Sequence, residues 1–390
     1  MRLRNWIVAL VGMTAGAATA ADPPQTAGPR EKGFLNDPDV FPIAVWLQNP
    51  TRAGDYQAIG INLYIGLWRG PTEDQLAGLK KHGMRVVCSQ NDFGRKHLDD
   101  PTIVGWMHGD EPDNAQSRGK GKSYGPPVPP AKIVEDYERL KKADPSRPVV
   151  LNLGQGVAWD KWIGRGTRTN HSEDYPEYVK GCDIASFDIY PAVHDHPDVA
   201  GKLWFVADGV SRLSKWAGDR KPVWNCIECT HISNAKVKPT PQQVKAEVWM
   251  SLVRGSRGII YFAHQFQPKF VEAGLLEDKE MAAAVGVINK QVRELAPVLN
   301  RPTVADGVAV ASSAAAVPVE AMVKRRDGFT YVFAVGMRDG KTTATFTIAG
   351  LTGTGKAEVL GEDRTVEVRE GVFRDEFGPW GVHIYRIQAR

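Results

Sequence analysis

Between Phe41 and Asn300, short apolar runs alternate with amphipathic stretches. The runs are FPIAVWLQ from Phe41, INLYIGL from Ile61, MRVVCSQ from Met84 and TIVGWMHG from Thr102, then VVLNLGQG from Val149, IASFDIYP from Ile184, PVWNCIECT from Pro222 and GIIYFAHQF from Gly258. Each is rich in β-branched or aromatic residues and nearly continuous in apolarity. Strands buried on both faces have this pattern. The segments between them carry helix signals. Thr72 and Gln75 form a capping box ahead of Leu76 and Leu79. Ile133, Tyr137 and Leu140 share a helical face after a proline-rich loop. Thr240-Pro-Gln-Gln243 combines an N-cap, a proline at the first helical position and a box partner. Met281, Val285, Ile288, Val292 and Leu295 recur at helical spacing. Only NDFGRKHLDDP, between the third and fourth runs, is too short and broken for a full helix.

Eight strand–helix units of this kind predict a (β/α)8 barrel over residues 34–302. The rival is a doubly wound open sheet. Its nucleotide-binding form has no support, because no strand leads into a Gly-x-Gly-x-x-Gly loop. After Pro302 the texture changes to short alternating strands, with hairpin signals at Asp327-Gly328 and Asp339-Gly340. Residues 303–390 are expected to form a small antiparallel β-sandwich.

The first twenty residues fall outside this pattern. Met1 to Arg4 is basic, Trp6 to Met13 is mostly apolar and Ala18-Thr-Ala20 is small, as in a secretory signal. The apolar stretch is too short to span a bilayer. Residues 21–33 are expected to be a disordered leader and the mature protein to be secreted or periplasmic, with no membrane association after cleavage. The 49 basic and 45 acidic side chains nearly balance at +4, which argues against a nucleic-acid partner. Four cysteines in an exported chain allow two disulfides. Cys226 and Cys229, however, lie in one apolar strand and would point to opposite faces, so buried thiols are expected.

In barrels of this type, active sites sit at the C-terminal ends of the strands. Two glutamates fall there. Glu111 lies just past the fourth strand in GWMHGDEP, and Glu228 ends the seventh in PVWNCIECT. An ionised Glu in an apolar barrel strand costs several kcal/mol unless it is paired. A function would account for that cost. Two carboxylates facing each other across a barrel mouth suit glycoside hydrolysis, one donating a proton and the other attacking or activating water. The bland readings are a first-turn acid favoured by the helix dipole for Glu111 and a structural ion pair for Glu228. Against the first, the next clear helix begins only near Pro130.

The barrel and these two positions resemble the clan A glycoside hydrolases, in which the acid/base Glu follows strand four and the nucleophile Glu ends strand seven. The resemblance covers about residues 35 to 300 and implies Glu111 as acid/base and Glu228 as nucleophile, in a retaining mechanism that acts on a poly- or oligosaccharide without a cofactor. That clan has Asn before the acid/base, and here Asp110 holds the place. Ionised Asp110 would accept rather than donate a hydrogen bond, and would raise the pKa of Glu111. The usual Trp at the end of strand eight is replaced by YFAHQF, making His264 and Gln265 candidates for a sugar contact. Further strand-end candidates are Trp46, Gln48, Tyr64, Gln155, Asp188 and Tyr190. Tyr190 either hydrogen-bonds Glu228 or completes the barrel top with its ring. His108 is either a ligand contact or a satisfied core residue. His194-Asp-His196 is an isolated pair without evident further ligands, so no metal is expected. The alternative to an enzyme is a carbohydrate-binding barrel that has lost catalysis, with Asp110 as the sign of that drift.

Overall fold

A computed structural model describes residues 33–218 and 220–388. Residues 1–32, which hold the expected export signal and most of the leader, lie outside the described residues. Eight parallel strands close into a barrel: β1 (Ile43–Trp46), β2 (Leu63–Ile65), β3 (Arg85–Cys88), β4 (Ile103–Met107), β5 (Val149–Leu153), β6 (Ile184–Phe187), β7 (Val223–Glu228) and β8 (Ile259–Phe262). All eight coincide with the apolar runs. Each strand hydrogen-bonds its sequence neighbour, and β8 returns to β1 through Ile43↔Ile259.

The helices in chain order are α1 (Ala53–Ala58), α2 (Glu73–Lys81), α3 (Asp92–Arg95), α4 (Pro130–Ala143), α5 (Tyr175–Tyr178), α6 (Phe205–Ala217), α7 (Pro241–Val253), α8 (Gly274–Glu277), α9 (Lys279–Glu294) and α10 (Ala296–Leu299). Both predicted capping boxes are present, at Thr72–Gln75 and at Thr240–Gln243. The broken segment after β3 forms the single turn of α3. Among the described residues, no helix is long and apolar enough to cross a membrane.

Two layers of core follow from strand alternation. Ala44, Trp46, Leu63, Ile65, Val87, Val150, Ile184, Trp224, Cys226 and Ile260 fill the lumen. The other strand face packs against the helices, as with Trp106, whose Nε1–H donates to the buried Asp144 at 2.8 Å. Asp144 also takes Arg147 at 3.0 Å and the backbone N–H of Ser146 at 2.9 Å. Burial alone would raise its pKa, but the bonds from Ser146, Trp106 and Arg147 hold it below the ordinary value. Asp144→Ala strands four donors, the Ser146 hydroxyl among them, and is expected to cost about 2 kcal/mol at neutral pH. A carboxylate with a depressed folded pKa stabilises above its unfolded pKa and loses that contribution in acid. Urea midpoints at pH 7 and pH 3 should therefore differ between wild type and variant mainly at pH 7.

The C-terminal strands are β9 (Val308–Ser312), β10 (Val319–Arg326), β11 (Phe329–Gly336), β12 (Thr342–Ile348), β13 (Thr354–Val359), β14 (Arg364–Arg369), β15 (Val372–Phe377) and β16 (Val382–Gln388). They form one continuous ladder in the order β10-β11-β16-β13-β14-β15-β12-β9, with its own core around Phe346, Phe373 and Tyr385. Asp327-Gly328 makes the expected hairpin, both residues at positive φ. Asp339-Gly340 does not. It links β11 to β12, which lie apart in the sheet. Gly340 is needed there for a close approach, because a Cβ would come within 2.6 Å of Val317. The domain braces the barrel at α7, where Trp249 stacks on Phe333 at 5.7 Å and Gln242 donates to the carbonyl of Trp380 at 2.8 Å. The cysteines Cys88, Cys182, Cys226 and Cys229 are buried and unbridged.

Candidate active site

Glu111 sits at the C-terminal mouth of the barrel with φ at 43°. A non-glycine residue pays for the left-handed region, so surrounding bonds must hold it there. They do: the Glu111 N–H donates to the carbonyl of Asn152 on β5 at 3.1 Å, and its own carbonyl accepts from the N–H of Asn114 at 3.1 Å. The next acid, Asp113, is fully buried and structural. It accepts from the Gly154 N–H at 2.8 Å and from the Tyr175 hydroxyl at 2.9 Å, tying the β4 loop to β5 and α5.

The Glu111 side chain meets Asp188, just beyond β6. Asp188 is 7% exposed, and its Oδ1 has no donor among the described residues. Two carboxyls in contact are stable only if they share a proton. Burial, then the charges of Glu111 and Asp110, push Asp188 well above the carboxylate range. Asp188 is thus the neutral acid that donates to Glu111. Burial and the neighbouring Asp110 carboxylate push Glu111 up to about 7. Asp110 is solvent-exposed but closely ringed by protein, and accepts from Asn152 Nδ2 at 3.0 Å. The Tyr190 hydroxyl lies 3.5 Å from Asp188 Oδ2, so Tyr190 serves Asp188 rather than Glu228. Cys226 lines the same space from β7.

Glu228 does not join this group. It is fully buried, and its oxygens accept from the backbone N–H groups of Ala192 at 2.5 Å and Val193 at 3.0 Å. Its third neighbour is Glu247 of α7. Asn225 also reaches α7, bonding Ser251 at 2.8 Å. Alternation would send Glu228 into the lumen beside Cys226, but the last residue of β7 turns towards the helix layer instead. The expected pairing of Glu111 with Glu228 across the mouth is corrected to Glu111 with Asp188.

The remaining candidates divide between the mouth and other places. Tyr64 faces the outer layer, edge-on to Tyr56 of α1 at 6.0 Å, and is core. His108 also points outward, its Nε2 bonded to the carbonyl of Gly181 at 2.7 Å. Trp46 belongs to the lumen core. Gln48 and His264 form a buried pair at 3.2 Å, and Gln48 also accepts from the Tyr56 hydroxyl at 2.6 Å. Gln265 pairs through its backbone with Val271. That bridge closes a short β8 loop carrying Phe266 and Phe270, which are 46% and 61% exposed. Tyr190, Phe262, His264 and these two phenylalanines form a continuous band of rings with centroids 5.1 to 6.1 Å apart. Sequence reasoning missed this band, although HQFQPKF was visible as an aromatic run. It also missed Asn152, a polar residue inside an apolar strand.

Gln155 meets His194, Oε1 to Nε2 at 2.9 Å. The Nδ1 of His194 accepts the His196 N–H at 3.0 Å, which leaves the proton on Nε2. Gln155 therefore accepts, and its amide N–H groups remain available to a ligand. Among the described residues, no group of three or more His, Cys, Asp or Glu side chains is arranged to hold a metal. Chemically, the mouth can deliver and take back a proton near neutral pH, beside a row of aromatic rings.

No family model and no curated protein sequence matches the chain. Solved structures do. A noncanonic maltogenic alpha-amylase, AmyB from Thermotoga neapolitana, superposes with a TM-score of 0.55 at 9% identity, covering 91% of this chain and 100% of that one. A candidate alpha-galactosidase from Bacteroides fragilis superposes at 0.54 and 11% identity, covering 90% and 80%. At such identities these likenesses establish the fold, a barrel with a C-terminal β domain.

Proposed function

We propose that this chain is an exported glycoside hydrolase in which Glu111 exchanges the proton and Asp188 is its partner carboxyl. The observation that carries this is the Glu111–Asp188 pair at the barrel mouth, with Glu111 titrating at about 7. A general acid works best when its pKa lies near the working pH. The aromatic band supports a sugar ligand, since ring faces stack on the C–H faces of pyranoses. The fold is also shared with an amylase.

A carbohydrate-binding barrel without turnover is the second reading, and one observation favours it. The Glu111 and Asp188 carboxyls touch, whereas hydrolysis flanks the scissile bond with carboxyls about 5 to 9.5 Å apart. Substrate would have to enter between them. The deciding experiment measures sugar release from a wide panel of plant, algal and microbial polysaccharides and aryl glycosides, by wild type, Glu111→Gln and Asp188→Asn. Release by wild type that collapses in both variants supports hydrolysis. Glycan binding without release supports the binding barrel. Release that survives both changes overturns the assignment of these carboxyls.

Gln155 is expected to act as a donor to a sugar hydroxyl, held in place by His194. His194→Ala should raise KM roughly fivefold with little change in kcat, the worth of about one hydrogen bond. An unchanged KM would remove Gln155 from the site.

A further inference from the structure

We infer that the hairpin from Ser117 to Tyr124 is a docking tongue for an anionic glycan, with Arg118, Lys120 and Lys122 taking its carboxylate or sulfate groups. The inference rests on the reading of the barrel as a glycan-handling protein and names the chemistry of the chain it handles.

The sequence gives the first argument. SRGKGKSYG places three cations within five residues, and no acidic residue occurs between Asp113 and Glu135. A block of like charge with no counter-charge in its own segment attracts a partner of opposite charge. Here Arg118, Lys120 and Lys122 are all exposed, and none makes an ion pair among the described residues. By contrast, the neighbouring basic segment is paired off, with Arg165 and Arg168 both bonded to Asp174. The tongue's charge is left open.

The second argument is that the hairpin is built and rooted. Ser117 and Tyr124 form an antiparallel bridge, and the Gly125 N–H donates to the carbonyl of Gln116 at 2.7 Å. Gly119 and Gly121 have φ of 104° and 76°, which lets the chain turn tightly on either side of Lys120. At the base, Gln116 Nε2 donates to the carbonyls of Asn114 at 2.7 Å and Glu111 at 3.2 Å. The tongue is therefore stapled to the backbone of the proton-exchanging residue. Tyr124, 70% exposed, adds a ring at the strand's end.

The third argument is electrostatic. The mouth itself is acidic, with Asp110, Glu111 and Asp113 beyond β4 and Asp188 beyond β6. An anionic chain gains nothing there. A cationic tongue beside that mouth offsets the repulsion and holds charged sugars away from the carboxyl pair, leaving the sugar between the carboxyls to be the less charged one.

The test is affinity electrophoresis of the full chain at physiological salt, through gels containing polygalacturonate, dextran sulfate or neutral dextran. Wild type is compared with the triple variant Arg118→Gln, Lys120→Gln, Lys122→Gln. The control is Lys81→Gln, Lys215→Gln, Lys356→Gln, which removes equal charge. Lys81 ends α2 and Lys215 lies in the last turn of α6, at the opposite face of the barrel, while Lys356 lies on β13. Wild type and control should be retarded by a polyanion and not by neutral dextran. Apparent affinity should fall roughly tenfold or more in the tongue variant, as three weak charge contacts imply. Retardation by polygalacturonate alone names carboxylates as the ligand, and by dextran sulfate alone names sulfates. Equal retardation of wild type and tongue variant, equal loss in both triples, or no retardation of wild type would each overturn the inference. The readout is binding, so tongue-dependent retardation without release of any sugar would count against hydrolysis and not against the tongue.

Discussion

Glu111→Gln is expected to lower kcat on the cleaved glycan by about 10²- to 10⁴-fold, the usual worth of a general acid–base group, with KM little changed. The amide keeps the shape and one acceptor oxygen but holds no transferable proton. The pH dependence adds a sharper signature. Glu111 must hold a proton of its own for transfer to the leaving oxygen, in addition to the one Asp188 keeps, and Glu111 titrates at about 7. Wild-type activity should therefore fall as pH rises through about 7. The limb belongs to the pair, because the two carboxyls titrate together. Asp110 supplies a test of cause. After burial, its charge is the largest influence raising Glu111. Asp110→Asn removes that charge and should move the limb to lower pH, while keeping the fold. A limb that stays in place in Asp110→Asn, or turnover that survives in Glu111→Gln, would sink the assignment.

Much of this was legible in the sequence. All eight barrel strands, both capping boxes and the position of Glu111 followed from local pattern, because apolar runs and caps are local physics. The influence of Asp110 on Glu111 was also legible, since adjacent carboxylates at one strand end repel wherever the chain goes. What failed was facing. Strands apolar on both sides carry no inward or outward signal, so local pattern does not show that Tyr64 and His108 face the helix layer, and for His108 the core alternative holds. Glu228 failed for a related reason. Alternation holds within a regular strand, and Glu228 is the last residue of β7, free to turn towards the N–H groups of Ala192 and Val193. Those donors lie 35 and 36 residues away in sequence, beyond any local pattern. Asp188 was seen as a strand-end residue, but its contact with Glu111 depends on the barrel bringing β4 and β6 together. The sheet order around Asp339-Gly340 was hidden likewise, because β12 pairs with β15 and β9 rather than with its predecessor.

The turned-away Glu228 leads to the second large effect. Ionisation of Glu228 alone is expected to lower the stability of the wild-type chain on the order of 3 kcal/mol as pH rises from about 4.5 through about 7. Glu228 and Glu247 are both fully buried, and neither oxygen of Glu247 has a donor among the described residues. One shared proton resolves this. Glu247 stays protonated, pushed well above the ordinary range by burial and by Glu228, and donates to Glu228. Burial pushes Glu228 to about 7 despite the donors facing it. A carboxyl whose folded pKa is raised holds its proton where the unfolded chain has lost it. Its stabilisation is therefore complete below the unfolded pKa and is lost as pH climbs through the folded one. Glu247→Gln keeps a donor towards Glu228 without needing that proton, so its stability should vary less with pH and exceed wild type at pH 8. Glu228→Gln sets an amide N–H₂ against one of two backbone donors and should destabilise by about 2 to 3 kcal/mol. Urea unfolding at pH 5 and pH 8 reads both effects. If Glu247→Gln tracked wild type across pH, the shared proton would be wrong. If Glu228→Gln kept wild-type stability but lost turnover as Glu111→Gln does, Glu228 would act at the mouth after all, and its place against α7 would be the error.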